Sequence, residues 1–199
     1  APDSPISKQD RVRSFLAEGV DVLVGTDHDY ITDYAPTVAE LGAGSELASV
    51  IGEELTTSDY GHYNGFPLEH DPASRNGGAF DWAGGPGPGH PPAELFAWFA
   101  SHEGEQVIQV NHAGSGFIST VRADVAKGTS GMDPTAFRLD VPEGGLSGDD
   151  TGLWSEDFTA IEVMNGHSKK NFWAIFRWWL TMIGRGFTPT GTAGSDTHK

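Results

Sequence analysis

Short apolar runs of strand length, alternating with helical patterns and parted by glycine and proline, constrain this chain more than any other feature. Val20-Asp21-Val22-Leu23-Val24-Gly25 is one such run; it is rich in β-branched residues and stops at Thr26-Asp27-His28-Asp29. Others are expected at 49–51 leading into Glu53-Glu54-Leu55-Thr56-Thr57, and at 60–68, 106–110, 160–163 and 188–192. Helical patterns lie between them. Ser7 reads as an N-cap with Asp10 three residues on, Val12, Phe15 and Leu16 share a face, and Gly19 ends the helix. Further helices are expected over 35–41, 92–102 and 169–183; Pro92 suits a first helical turn and has Glu94 beside it. This β-α-β-α order argues for an α/β fold with a mostly parallel sheet covered by helices. A curled, barrel-like closure and an open sheet give the same periodicity.

The connecting segments are unusually loose. Gly and Pro together fill 39 of 199 positions, and ten of them fall in residues 76–92, a stretch that neither a helix nor a ladder tolerates. A long connection over 113–157 carries seven acidic residues and one Arg in its second half, the composition of a solvated insertion or lid. The aromatic helix over 169–183 is apolar almost all round, so burial against the sheet and a neighbouring element or subunit explains it better than a ligand box.

Charge narrows the function classes. A formal net charge of −16 is the wrong sign for neutralising nucleic-acid phosphates or for approaching an anionic membrane surface. No run approaches 18 consecutive apolar residues, and there is no Cys to supply a disulfide, a thiol nucleophile or a zinc knuckle. These features describe a soluble, acidic, single-domain protein.

Chemistry is concentrated at the strand ends. His28, His112 and His198 each lie just past an expected strand, and Glu54 occupies a similar place. In parallel α/β folds active sites are built along that edge. A mixed imidazole and carboxylate shell suits Zn, Mn or Fe better than Mg or Ca. Each piece has a plainer reading by itself: His28 as a turn or cap, Glu53-Glu54 as a solvated pair, His62 as an exposed strand residue. His70, His90 and His102 fall in loops or at a helix end and read as ordinary surface histidines. The coincidence at three strand ends favours a metal site.

Six segments taken in order, Gly19 to Asp29, Gly52 to Thr56, Gly61-His62-Tyr63-Asn64-Gly65-Phe66, Val110-Asn111-His112, Ile161-Glu162-Val163-Met164-Asn165-Gly166 and Gly194-Ser195-Asp196-Thr197-His198, resemble the PHP (polymerase and histidinol phosphatase) superfamily. They are most similar to its carbaryl-hydrolase branch, the CehA/McbA-type metallohydrolases. The resemblance implies an incomplete, distorted (β/α)7-type barrel with a cluster of two or three metal ions at the C-terminal ends of its strands. It makes Asp3, His28, Glu54, His62, His112, Asp196 and His198 metal ligands, with Glu54 rather than Glu53 at the family's ligand position. The family's His-x-His pair would precede Asp3, so the resemblance reads residues 1–199 as one partial domain lacking its first strand and closing elements. On that reading these residues alone bind metal weakly and show little activity. Ala113 stands where the family usually has Pro.

The activity implied is metal-assisted hydrolysis of a small-molecule ester, a phosphoester first. Asp196 or Asp27 would orient water or accept its proton, Arg122 or Lys127 would meet a phosphate, and His167 is a further candidate for substrate contact. Carboxylic-ester or carbamate hydrolysis is the rival chemistry, and a non-catalytic, metal-retaining binding domain is the rival from another class. The acidity argues against a DNA-handling member of the superfamily.

Overall fold

The computed structural model describes residues 4–58, 60–84, 90–114, 155–166, 169–184 and 186–196. Helix α1 (Lys8–Ala17) starts where the sequence indicates, with the Ser7 side chain accepting the Asp10 N–H at 3.1 Å. There follow β1 (Val22–Gly25), α2 (Ala35–Glu40), β2 (Ala48–Ile51), β3 (Glu53–Thr56) and β4 (His62–Phe66). A 3₁₀ turn (Arg75–Gly78) leads to α3 (Pro92–Ala100) and β5 (Val107–Val110); β6 (Ala160–Asn165), α4 (Lys169–Gly184) and β7 (Thr190–Gly194) complete the order.

The expected barrel is not what forms. The strands make two sheets, a parallel β1–β2 pair and a five-stranded sheet in the order β3-β4-β5-β6-β7, and no barrel closes among the described residues. The sheet is also mixed rather than mostly parallel. β3–β4 and β4–β5 are antiparallel, whereas β5–β6 and β6–β7 are parallel. The cause is connection length. Only residues 57–61 separate β3 from β4, enough for a hairpin and too few for a parallel crossover, which takes a dozen residues or more. The run expected to pass from 49 to 57 is divided at Gly52 between the two sheets. They stay linked where the chain after β1 touches β3, through the parallel His28–Glu54 bridge and the Asp29 N–H donated to the Glu54 carbonyl at 2.8 Å.

Each sheet has its own core. Val12, Leu23, Tyr34, Val38, Ala43 and Leu47 pack α1 and α2 onto the small sheet. The larger core is aromatic: Tyr63 meets Phe96 edge-on at 5.0 Å, Phe96 meets Phe158 at 5.8 Å, and Phe158 meets Phe187 at 4.9 Å. From α4, Ile175, Trp178 and Met182 enter this core while Phe172, Phe176 and Trp179 cover its margin; Trp173, at 55% exposure, faces away.

Gly65 on β4 is required by this packing, because a Cβ there would lie 2.0 Å from the buried Phe99 ring. Gly65→Ala should therefore cost about 3 kcal/mol in urea unfolding, the upper range for overpacking a close-fitted core. A loss below about 1 kcal/mol would mean that the ring swings aside freely.

Candidate metal centre

Antiparallel pairing brings the site together. His112 follows the end of β5 and His28 the end of β1, as expected. Glu54, by contrast, lies within β3, and His62 opens β4 instead of following a strand. Because β4 runs opposite to β3 and β5, its first residue reaches the same edge: His62 pairs with Thr56, and its carbonyl accepts the Asn111 N–H at 3.0 Å. The expectation of a metal site at the C-terminal ends of the strands is corrected accordingly for Glu54, inside β3, and for His62, at the start of β4.

At this edge a Glu54 carboxylate oxygen and one nitrogen each of His62 and His112 lie within 4.8 Å of one another. His62 Nδ1 is 3.3 Å from Glu54 Oε1, His112 Nε2 is 4.0 Å from it, and the two nitrogens are 3.1 Å apart. Ligands about 2.0–2.1 Å from a shared tetrahedral ion stand about 3.3 Å from each other; two of the three separations match this, and the longer His112–Glu54 one would close with a small shift of either side chain. Two imidazole nitrogens this close need either a shared proton or a cation between their lone pairs. His28 completes the group, with Nδ1 3.0 Å from Glu54 Oε2 and 2.5 Å from Thr56 Oγ1. The Glu54, His62 and His112 donors could hold a metal ion, with His28 against the other oxygen of the same carboxylate.

The electrostatics suit that role. Burial works against ionising Glu54, but hydrogen bonds from His28 and His62, the His28 charge and the Asn111 amide outweigh it and hold the carboxyl well below the usual carboxylate range. Burial, then neighbouring His62, holds His112 below the ordinary imidazole range, which favours the neutral ring that ligates metals. Burial pushes Glu162 upward.

Supporting contacts surround the cluster. Asp29 Oδ1 accepts the Thr56 N–H and Trp82 Nε1, both at 2.9 Å, which fixes the loop that carries His28. Asn111 Nδ2 donates to Glu54 Oε1 at 3.1 Å and to Asn64 Oδ1 at 2.7 Å. Behind it, Gln109 Nε2 donates to Asn111 Oδ1 and Thr192 Oγ1 to Gln109 Oε1, both at 2.8 Å. His112, Asp196 and Asp29 all have positive φ without being glycine (25°, 52° and 52°), backbone strain of the kind that gathers at functional sites.

A cavity of about 780 Å³ opens over this edge, bordered by Asp27, His28, Glu54, His112, Glu162 and Asp196. Arg11 is the one Lys or Arg on its wall among the described residues. Of the remaining candidates, Asp196 faces the cavity and receives Asn165 Nδ2 at 3.2 Å, while Asp27 accepts the Tyr34 hydroxyl at 3.1 Å. Asp3, Arg122, Lys127, His167 and His198 lie outside the described residues, as does most of the expected lid. His90 pairs with Glu94 at 2.6 Å, and His102 turns its Nδ1 to the Trp98 carbonyl at 3.1 Å, so both take ordinary local contacts.

Sequence reasoning missed Thr56, Asn111, Glu162 and Asn165. Asn111 directly precedes His112, and a polar residue beside a strand-end ligand was the available signal for it; Thr56, Glu162 and Asn165 carry no such signal. Compared with known proteins, the chain matches no protein-family model and no curated protein. No helix among the described residues is long and apolar enough to cross a membrane.

Proposed function

We propose that the protein is a metal-dependent hydrolase of small-molecule esters, acting first on phosphoesters. The observation that carries this reading is the meeting of one carboxylate and three imidazoles, from β3, β4 and the ends of β1 and β5; Glu54, His28 and His112 border one cavity, and His62 lies against Glu54 and His112 beside it. Glu54, His28, His62 and His112 would hold the first ion, and the PHP resemblance adds Asp3, Asp196 and His198 for a second or third. The donor set favours Zn, Mn or Fe. A divalent ion bound there supplies Lewis acidity toward the scissile group and toward water. The cavity, at about 780 Å³, falls within the range that small-molecule sites occupy.

The chain's own groups divide the remaining work. Asp196 faces the cavity beside His112 and is placed to orient water or take its proton. Asp27 is the weaker candidate, since its carboxylate already accepts from Tyr34. The carboxylates on the cavity wall repel an anionic substrate until bound cations offset their field.

The test is to titrate the full-length protein with Mn or Zn and to assay aryl phosphates and aryl carbamates in parallel. Turnover of the phosphate that appears with metal and vanishes with chelator is the expected result. Faster carbamate turnover would transfer the reading to the rival chemistry. Metal binding with no turnover of either ester would overturn it and leave a metal-retaining binding domain.

A further inference from the structure

The segment 161–166 brings a carboxylate and an amide to the cavity, and the proposed chemistry gives neither a task. Glu162 is only 6% exposed, yet it borders both the main cavity and a smaller one of about 300 Å³ beside α4. Its Oε2 accepts the His112 backbone N–H at 2.6 Å and Asn165 Nδ2 at 3.2 Å. The same Asn165 amide donates to Asp196 Oδ2 at 3.2 Å. One carboxylate and one amide thus connect residues from three neighbouring strand ends.

The local fold is shaped to allow this. In a regular strand, residues three apart face opposite sides. The β6–β7 pairing slips between Glu162 and Met164, and such a bulge turns Asn165 back to the face of Glu162. Across the pair, a Cβ on Gly194 would lie 2.5 Å from Glu162 Oε1, so the absence of a side chain there makes room for the carboxylate. His112 and Asp196, the two residues tied down, are among the few non-glycine residues with left-handed backbone, a conformation that persists only where surrounding contacts over-determine it.

We infer that Glu162 and Asn165 are positioning residues, a clamp that joins the end of β5 to the turn after β7 and holds His112 and Asp196 in orientation toward the metal centre. The inference rests on the metal-centre reading. Neither residue touches the ion; both act through the ligands they hold.

Chelator competition with Zn or Mn on the full-length protein, as wild type, Glu162→Gln, Glu162→Ala and Asn165→Ala, with circular dichroism melts alongside, tests it. Glu162→Ala should weaken metal binding about 10–100-fold, the usual cost of losing an outer-sphere partner. Glu162→Gln should restore affinity to within about threefold of wild type, because its amide oxygen can accept both donors. Asn165→Ala should fall between. Equal losses in Glu162→Gln and Glu162→Ala would overturn the clamp, since the charge rather than the hydrogen bonds would then matter. Wild-type affinity in Glu162→Ala would overturn it too. If Glu162→Ala does not fold, Asn165→Ala decides: unchanged affinity overturns the clamp and weakened affinity supports it. Failure of the wild type to bind either metal overturns the metal-centre reading itself, and the clamp with it.

Discussion

Glu54→Gln should lower divalent-metal affinity at least about 100-fold and remove metal-dependent ester hydrolysis while leaving the fold in place. The two Glu54 oxygens lie against three imidazoles, Oε2 beside His28 and Oε1 beside His62 and His112. Glutamine keeps the volume but removes the charge, and it presents an amide N–H₂ group where one of those oxygens stood. The imidazoles lose the anion that draws a cation among them. Chelator competition measures the affinity, and a far-UV spectrum with a melt shows whether the fold persists. Affinity within about threefold of wild type would place the centre elsewhere and withdraw Glu54 from the ligand set.

The second large effect concerns its neighbour. Glu53 points to the opposite face of β3, is fully buried, and among the described residues has no hydrogen-bond partner for either carboxylate oxygen. Burial first, and then the nearby Asp29 carboxylate, raises its pKa from the ordinary 4.5 to about 8; the Phe80 N–H softens this without reaching hydrogen-bond geometry. Below about pH 4.5 Glu53 is neutral in both folded and unfolded chains, and ionisation costs the fold nothing. As pH rises from there to about 8 the unfolded chain releases the proton and the folded chain keeps it. Stability is lost across that window, by about 4–5 kcal/mol in all. Glu53→Gln should flatten this component, and Glu53→Met, similar in shape and apolar, should be more stable than wild type at pH 8 by a similar amount. Urea unfolding at pH 5 and pH 8 in the presence of chelator, read as variant minus wild type, isolates the effect. Parallel pH profiles for wild type and Glu53→Gln would show that the carboxyl has found water or a donor.

Local signals in the sequence locate the elements well. The Ser7 cap, the β-branched run ending at Gly25, Pro92 in a first helical turn and the apolar segment from 169 onward all correspond to elements within a few residues. What these signals omit is the partner and direction of each strand. Period and length describe a strand by itself, whereas pairing depends on connections, and the five residues between Thr56 and His62 were the missed clue to a hairpin. The same omission affects the site. His28 and His112 are legible as strand-end residues, but Glu54 lies inside β3 and His62 joins them only because β4 is reversed; by its residues alone His62 reads as exposed. Glu162 and Asn165 were illegible for a related reason: three apart in a strand, they share a face only because of the bulge in β6.

The amide relay behind Glu54 has a direction. Asn111 gives its Nδ2 hydrogens to Glu54 and Asn64, so its oxygen must receive from Gln109; the Gln109 oxygen must in turn receive from Thr192. A flip of any one amide would set donor against donor or acceptor against acceptor along the whole line. Positions 64, 109, 111 and 192, spread over β4, β5, its following turn and β7, therefore behave as a single inherited character. Drift at one is expected to be tolerated only with matching change at the others, so covariation among these four positions would mark related chains that keep the same carboxylate in place.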